Sequence, residues 1–285
     1  MRKIARNNPK SVCLETCSLC NGACLFCPYK SVHAEPPIYL DEKYILSVID
    51  EASGMDVERF SLFNNNEPLL DERIYDYIKY VRKKMPSVRT TLSSNGKIIT
   101  TDNLKRAIES GIDNFYISLP TLDTEMSKKL MGIDAEKVVE TVLSLPKKLY
   151  KNVRFAVPIT RFFSKEEYAR RFDHLGIRYI TWEMEANSRW DEFAEICKLA
   201  EIRYEFGCDR PMDQAIISAN GDVLLCCRDW HHEAVVGNVK EESLREIWIG
   251  ERLRRYQEII GQENYDMIEL CSSCSRVCDL EKKSV

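Results

Sequence analysis

Residues 13–27 read CLETCSLCNGACLFC, and the five cysteines in this short stretch decide how the rest of the chain is interpreted. The spacing C-x3-C-x2-C occurs twice, in overlapping registers formed by Cys13, Cys17 and Cys20 or by Cys20, Cys24 and Cys27. Three thiolates in one loop are good ligands for an iron–sulfur cluster, whose fourth iron then stays open to a substrate or cofactor. Zinc usually takes four protein ligands, often from two CxxC pairs, so the triplet favours iron–sulfur chemistry.

The second register is favoured by the residues around it. Residues 11–16 (SVCLET) predict a short strand, and side chains in a strand alternate between its faces, so Cys13 does not converge with loop residues. The second register contains Gly22, which allows the loop to wrap around an inorganic core, and Phe26, which can shield that core from water. We therefore predict that the cluster ligands are Cys20, Cys24 and Cys27.

The composition of the 285-residue chain excludes several classes of protein. Apolar residues make up 44% and charged residues 30%, which allows a sizeable core and argues against global disorder. Lys and Arg number 41 against 45 Asp and Glu, and the net charge of −4 provides no basic surface for nucleic acid. No apolar run reaches the roughly 18–20 residues of a membrane helix, and the basic N-terminus lacks the apolar segment of a secretory signal. Eleven of the twelve cysteines are clustered, at 13–27 and 208–278, which indicates metal or redox chemistry in a cytoplasmic protein.

Strand-like and helix-like segments alternate through the first two thirds of the chain. The expected strands are 11–16, 58–63, 88–93, 114–119, 152–157 and 177–182, and the expected helices are 41–53, 71–84, 101–111, 134–145 and 164–174. Such alternation implies parallel strands joined by crossover helices, in an α/β barrel or a doubly wound sheet. Periodicity alone does not choose between these two architectures.

The alternation ends after Trp190, where a smaller C-terminal domain is expected. A helix at 190–203 is followed by a hairpin, 213–218 and 222–226, that turns at Asn220-Gly221, and by helices at 242–249 and 251–260. We place the boundary within 186–206 and expect domains at 1–186 and 187–285. The second domain carries Cys208, Cys226, Cys271 and Cys274, which on ligand type alone would also suit zinc.

The segment Cys20-x3-Cys24-x-Phe26-Cys27, placed after a first strand, resembles the signature of the radical SAM superfamily. The resemblance implies a partial (β/α)6 barrel, a [4Fe–4S] cluster on these three cysteines, and S-adenosyl-L-methionine (SAM) bound to the unique iron through its amino and carboxylate groups. It also implies an external electron donor of the flavodoxin or ferredoxin type.

The resemblance continues at the ends of later strands, where barrel chemistry collects. Residues 64–68 (NNNEP) stand where the family has a GGEP-like motif that contacts the SAM amino group, and 94–96 (SNG) stand where it has TNG. The Gly pair of the first motif is Asn here. A K-x-RG-like segment at 129–132 has Met131 in place of Arg, so it implies nothing. The implied SAM-binding residues are Glu67, Asn66, Ser94, Asn95, Ser118 and Phe26.

The C-terminal segments GDVLLC (221–226), GNV (237–239), SLREIW (243–248) and CSSC (271–274) resemble the SPASM/twitch extension of radical SAM enzymes. The short twitch form carries one auxiliary [4Fe–4S] cluster, which implies Cys208, Cys226, Cys271 and Cys274 as its ligands. Their layout resembles that of an amino-cyclitol dehydrogenase of the superfamily. Cys278 is an alternative to Cys274.

Cys227 directly follows an expected ligand, and alternation along a strand would turn it to the opposite face. It is then either a packed thiol or a donor of a hydrogen atom to a substrate radical, as in radical SAM epimerases. We expect an epimerase acting on an aminosugar, a cyclitol or a peptide. The alternatives are a twitch dehydrogenase that oxidises a secondary alcohol and, more remotely, a non-catalytic metal-binding protein.

The expected substrate is a small polar molecule or a peptide. A cationic aminosugar would suit Glu183 and Glu185, which lie at the end of the sixth expected strand. The complete set of candidate substrate contacts is Arg154, Glu183, Glu185, Arg228, Asp229 and His231.

Overall fold

The fold is seen in a computed structural model, which describes residues 6–32, 36–159, 162–183, 208–272 and 274. Its strands are β1 (Ser11–Leu14), β2 (Arg59–Ser61), β3 (Arg89–Ser94), β4 (Asn114–Ser118), β5 (Val153–Ile159), β6 (Arg178–Glu183), β7 (Gln214–Ile217), β8 (Asp222–Leu224) and β9 (Val235–Asn238). The helices are Tyr29–Val32, Glu42–Ser53, Ile74–Lys84, Thr101–Ser110, Thr124–Met131, Ala135–Leu143, Lys165–Phe172, Arg210–Asp213, Leu244–Ile249, Glu251–Gly261 and Glu269–Ser272, with 3-10 turns at Pro68–Leu70, Lys147–Asn152, Asp173–Leu175 and Tyr265–Met267.

The order of the strands distinguishes an α/β barrel from a doubly wound sheet. The described strands form one sheet in the order β6-β5-β4-β3-β2-β1-β7-β8-β9, and β1 to β6 are parallel to their neighbours. From β1 to β6 each new strand is added beside the previous one, so the order does not reverse within these six strands as it does in a doubly wound sheet. The six parallel strands and the five crossovers between them fit the predicted partial barrel, which is followed by an antiparallel strand region with helices.

The two faces of the barrel sheet have opposite character. The face covered by the helices is apolar, and Val12, Phe60, Phe115 and Phe155 are fully buried there. We call the other face the open face; it carries Cys13, Ser61, Thr91, Tyr116, Ser118 and Arg154. Alternation therefore divides each strand between a side that stabilises the fold and a side available for chemistry.

The C-terminal strands extend the barrel sheet directly, because β7 pairs in parallel with β1. A buried carboxylate follows this pairing: Glu15 accepts hydrogen bonds from the backbone N–H of Asn65, at 2.6 Å, and from that of Ala219, at 3.2 Å. Asn65 lies in the loop after β2 and Ala219 in the turn after β7. Glu15 thus connects three segments that are far apart in sequence.

Several local expectations need correction. The strand expected at 222–226 ends at Leu224, with an irregular register against β9, so Cys226 and Cys227 lie in the following turn. Strand β9 and the helix Thr124–Met131 were not predicted, and helix 71–84 begins only at Ile74. The expected helix 190–203 and the domain boundary fall outside the described residues, and the boundary stays a prediction.

Within the residues that the structure describes, none of the helices has the length and apolar character needed to span a membrane.

We predict that Glu15→Ala lowers the free energy of unfolding by about 2–4 kcal/mol, because it leaves two backbone N–H groups without their acceptor in a buried setting. Glu15→Gln should recover part of this loss, since one amide oxygen remains as acceptor. Urea unfolding of the cluster-free protein, followed by circular dichroism, measures the change.

Glu109→Ala is the matched control for this measurement. Glu109 is exposed and forms only a 3.8 Å ion pair with Lys105, so its loss should change the stability by less than about 0.5 kcal/mol. An equal effect of the two alanine variants would show that Glu15 does not connect the three segments.

Candidate active site

The loop after β1 brings cysteine sulfurs around Gly22, where a side chain would have no room. A β-carbon at Gly22 would lie 3.2 Å from Cys20 Sγ and 3.5 Å from Cys24 Sγ. Burial first, and then the nearby Cys27 and Cys20 thiols, raise the pKa of Cys24 to about 12. Three thiols that disfavour one another's ionisation need a cation between them to become thiolates. The donor set and the space at Gly22 therefore fit an iron–sulfur core.

The other two cysteines of this stretch lie outside that group. Cys17 is fully buried, and its sulfur accepts a hydrogen bond from Asn66 Nδ2 at 3.8 Å. Cys13 belongs to β1 and hydrogen-bonds Ser61 on the neighbouring strand. The structure thus brings together the three cysteines of the second register and keeps the other two apart from them.

The cysteine loop is held from three sides by hydrogen bonds. The Tyr29 hydroxyl accepts from the Cys20 N–H and donates to the Ser18 carbonyl, both at 2.7 Å. The Leu25 N–H donates to the Leu130 carbonyl at 2.9 Å. Lys97 Nζ donates to the Asn21 carbonyl at 3.1 Å. A loop fixed in this way can hold its thiols in a defined geometry before any cofactor binds.

Glu67 is buried beside the cysteine loop and connects the loops after β2 and β3. Its Oε2 accepts from the Asn95 N–H at 2.6 Å, and its Oε1 from the Leu69 N–H at 3.2 Å. Burial raises the pKa of Glu67 to about 7, although hydrogen bonds from Asn95, Ser94 and Leu69 act in the opposite direction. Each carboxylate oxygen has a second lone pair, so Glu67 can still accept a bond from a cationic amino group.

The other predicted SAM-binding residues divide into two kinds. Asn95 and Ser118 lie at the site: Asn95 Nδ2 contacts Cys20 Sγ at 3.7 Å, and Ser118 is half-buried at the end of β4 on the open face. Ser94 also reaches the site, because it hydrogen-bonds the Glu67 carboxyl, whereas Asn66 and Phe26 are engaged elsewhere in the chain. Asn66 Oδ1 accepts from the Asn64 N–H at 3.2 Å, Ser94 Oγ from the Gly96 N–H at 3.1 Å, and Phe26 packs against the core.

The second group of cysteines lines one small apolar cavity in the C-terminal region. Cys208, Cys226, Cys271 and Cys274 all contribute to its wall, together with Leu225, Ile260 and Leu270. Among the described residues, no group of three or more His, Cys, Asp or Glu side chains is close enough together to hold a single metal ion. A cubane takes four thiolates, each bound to a different iron, and the four thiols on the wall of this cavity fit that donor set.

Cys227 is placed differently from the alternation that the sequence predicts. Because β8 ends at Leu224, the thiols of Cys226 and Cys227 do not face opposite ways but contact each other. Cys227 nevertheless does not line the cavity of the second cysteine group. Its carbonyl accepts from Asn65 Nδ2 at 3.4 Å, and its thiol is near enough to Cys13 to raise the pKa of that thiol. Cys227 therefore lies toward the open face of the barrel.

The predicted substrate contacts are scattered by the fold. Arg154 is half-buried on the open face, Arg228 lines the cavity of the second cysteine group, and His231 is exposed. Asp229 is fully buried, and its carboxylate accepts from the N–H groups of Glu233 and Ala234. Glu183 is the last residue of β6, and Glu185 lies outside the described residues.

Two residues that matter here were missed at the level of sequence. Glu15 could have been noticed because it is an acidic residue at the end of a predicted buried strand, where a carboxylate needs hydrogen-bond partners. Tyr29 carries none, because its role depends on the loop returning to Ser18 and Cys20.

Comparison with known proteins identifies the class. The radical SAM superfamily model matches residues 14–160, and the model of SPASM, an iron-sulfur cluster-binding domain, matches residues 208–275. The chain belongs to the radical SAM superfamily, with a SPASM region after the barrel. It is an enzyme that uses SAM and a [4Fe–4S] cluster, and its SPASM region binds further iron–sulfur.

Similar proteins cover nearly the whole chain. The S-adenosyl-L-methionine-dependent 2-deoxy-scyllo-inosamine dehydrogenase of Niallia circulans is 20% identical over 93% of this chain and 92% of its own. The tungsten-containing aldehyde ferredoxin oxidoreductase cofactor-modifying protein of Pyrococcus furiosus is 26% identical over 96% of this chain and 90% of its own. The crystal structure of BtrN with AdoMet and 2-DOIA superposes with a TM-score of 0.71 at 19% identity, covering 96% and 94%. The crystal structure of Streptococcus suis SuiB bound to precursor peptide SuiA superposes with a TM-score of 0.64 at 16% identity, and the match covers 96% of this chain and 71% of SuiB.

We predict that Gly22→Ala removes one cluster without unfolding the protein. The new methyl group would occupy the space between Cys20 and Cys24, so reconstituted protein should lose about four irons per chain, the content of one cubane. Iron and sulfide analysis beside a thermal melt of the cluster-free protein measures both effects.

Gly54→Ala is the control, because a β-carbon there would meet only the Glu51 carbonyl, at 3.6 Å. Its iron content should equal that of the wild type. Full iron content in Gly22→Ala would show that the space at Gly22 does not serve a cluster.

Proposed function

We propose that Cys20, Cys24 and Cys27 bind the SAM cluster, that Cys208, Cys226, Cys271 and Cys274 bind one auxiliary cluster, and that the enzyme inverts a carbon centre of its substrate with Cys227 as hydrogen donor. The first part is supported by the Cys20 and Cys24 thiols beside Gly22 and by the Cys27 thiol, which is close enough to Cys24 to raise its pKa. The second is supported by the shared cavity.

When bound, the cluster and SAM supply a reductive cleavage that yields methionine and a 5′-deoxyadenosyl radical able to remove a hydrogen atom from an unactivated C–H bond. The chain's own residues must orient the substrate, exclude water and control the fate of the substrate radical. Glu67 and Asn95 lie beside Cys20 and are suited to hold the SAM amino acid.

The observation that carries the epimerase proposal is the position of Cys227. It lies toward the open face beside Cys13, and it does not line the cavity of the auxiliary cysteines. A thiol at such a place can give its hydrogen atom to a substrate radical. The S–H bond breaks, a new C–H bond forms on the opposite face of the carbon, and Cys227 becomes a thiyl. One electron from a flavodoxin- or ferredoxin-type donor and one proton restore the thiol.

A second candidate is supported by the comparisons. The Niallia circulans relative is a dehydrogenase, and it aligns over almost the full length of both chains. In a dehydrogenase, the substrate radical would pass one further electron to the auxiliary cluster and lose the hydroxyl proton to a base or to solvent, giving a carbonyl in place of a secondary alcohol. The substrate of this second candidate would be an amino-cyclitol or a sugar.

The ligand assignment predicts unequal effects of cysteine substitutions. Cys24→Ala should abolish formation of 5′-deoxyadenosine, whereas Cys13→Ala and Cys17→Ala should leave it nearly intact, because these two thiols lie outside the group around Gly22. Anaerobic assays with dithionite, read by chromatography, measure the product.

Iron analysis provides the control for this assay. The variant lacking Cys20, Cys24 and Cys27 should still bind about four irons, as expected of a single cubane in the C-terminal region. Loss of SAM cleavage in Cys17→Ala with full cleavage in Cys24→Ala would reverse the assignment.

The two fates of the substrate radical are separated by Cys227→Ser. This variant should still form 5′-deoxyadenosine and still remove substrate hydrogen, but it should return no inverted product. In deuterated water the wild type should place one deuterium on the inverted carbon, since thiol hydrogens exchange with solvent. Mass spectrometry measures both. A product two hydrogens lighter than the substrate, formed equally well by Cys227→Ser, would establish the dehydrogenase instead.

A further inference from the structure

Four arginines lie on the open face of the barrel in two directly adjacent pairs. Arg59 on β2 is the register partner of Arg89 on β3, and Arg154 on β5 is the register partner of Arg178 on β6. The residues next to them, such as Phe60 and Phe155, point to the helices and are fully buried. Two cationic side chains side by side on one face of a sheet repel each other and destabilise the pairing.

Among the described residues, no ion pair with a carboxylate relieves this repulsion. In the described part of the chain, none of the four arginines forms an ion pair with an Asp or Glu side chain, and Arg154 donates only to the Lys151 carbonyl, at 3.4 Å. Burial lowers the pKa of Arg154, and the charges of Arg178 and Arg89 act in the same direction. Arg154, Arg178 and Arg89 therefore concentrate positive charge within reach of one another.

Acidic groups near this face are already engaged or lie elsewhere. Glu15 and Glu67 accept backbone hydrogen bonds. Glu58, Asp209 and Asp213 share a small cavity with Arg59 and Arg89 at the start of the strands, and Asp213 is paired with Arg6 at 2.6 Å. That cavity gives Arg59 and Arg89 an acidic neighbourhood on one side. It does not include Arg154 or Arg178, and neither of these two forms an ion pair with an acidic side chain in the part of the chain that the structure describes.

The arginines belong to the same face as the proposed hydrogen donor. Arg59 is close enough to Cys13 to lower the pKa of that thiol, and Cys227 lies near Cys13 as well. Arg154 lies two residues before Ala156, which is the register partner of Ser118. A molecule on the open face between Ser118 and Cys227 would therefore meet cationic side chains.

We infer that the substrate of the proposed reaction carries an oxyanion, a carboxylate or a phosphate, which is held by Arg154 together with Arg178 and Arg89. Guanidinium groups bind both kinds of oxyanion through paired N–H donors, and such bonds are stronger than neutral ones. The inference rests on the proposed function for the location of the substrate, and it replaces the cationic aminosugar that Glu183 and Glu185 suggest from sequence. An anion between the arginines would neutralise charges that otherwise repel.

The test uses the reconstituted holoenzyme with SAM, and inorganic phosphate and succinate as probes. Phosphorus and proton NMR titrations measure the two dissociation constants at low salt. Arg154→Gln and Arg178→Gln should each weaken binding of the better probe by about tenfold or more, since each removes a charge-assisted contact. The probe that binds more tightly indicates whether the oxyanion is a phosphate or a carboxylate.

Arg106→Gln is the matched control, because Arg106 lies on an outer helix over the ring of Tyr75. It should bind both probes as the wild type does. Equal weakening in Arg106→Gln, or wild-type binding no tighter than that of Arg154→Gln, would overturn the inference.

Two further measurements separate this inference from its alternatives. Arg154→Gln should melt at the same or a higher temperature than the wild type because it relieves repulsion; a lower melting temperature would assign Arg154 a structural role and count against the inference. Cys227→Ser should bind the probes normally. Probe binding therefore succeeds or fails separately from the isotope test of the epimerase proposal.

Discussion

The parallel pairing of β1 with β7 is the constraint on which the two cysteine groups depend. β1 leads into the loop that carries Cys20, Cys24 and Cys27, and β7 leads into the hairpin that precedes Cys226. A shift of one residue in this pairing would turn the side chains of β7 to the wrong face. The buried carboxylate of Glu15 fixes the register where the strands end, because it binds the turn after β7 and the loop after β2 together.

Much of the barrel was predictable because its signals are local. Helix Thr101–Ser110 starts at a Thr100–Asn103 capping box and ends at Gly111, which has a positive φ, and each of these features can be read from neighbouring residues. The parallel extension through β7 was not predictable, since hairpins are normally read as self-contained units. β9 was missed because it is only four residues long and contains Gly237, a residue type that is depleted in strands. Glycine is needed there because a β-carbon would collide with Ile247, a contact that the sequence does not reveal.

The cysteines of the first group were easier to predict from the sequence than the position of Cys227. The spacing allows two registers; the strand at Cys13 together with Gly22 and Phe26 favours Cys20, Cys24 and Cys27, and the fold brings these three together. The orientation of Cys227 could not be read from spacing, because a turn replaces the strand whose alternation the prediction uses. That turn is stabilised by the carboxylate of Asp229, which binds two backbone N–H groups within it. The arginine pairs were also invisible, since Arg59 and Arg89 become neighbours only through strand register.

A partial barrel separates stability from chemistry by giving each to one face of the same sheet. The apolar side chains that face the helices, such as Phe60 and Phe155, bury the area that stabilises the fold. The open face can then carry adjacent arginines that repel, and the loop after β1 can carry thiols that burial keeps protonated. An iron–sulfur core would supply the positive charge that the thiolates need, and the inferred anion would neutralise the arginines. Ligands that bind the folded chain in this way add to its stability, so binding and folding are coupled.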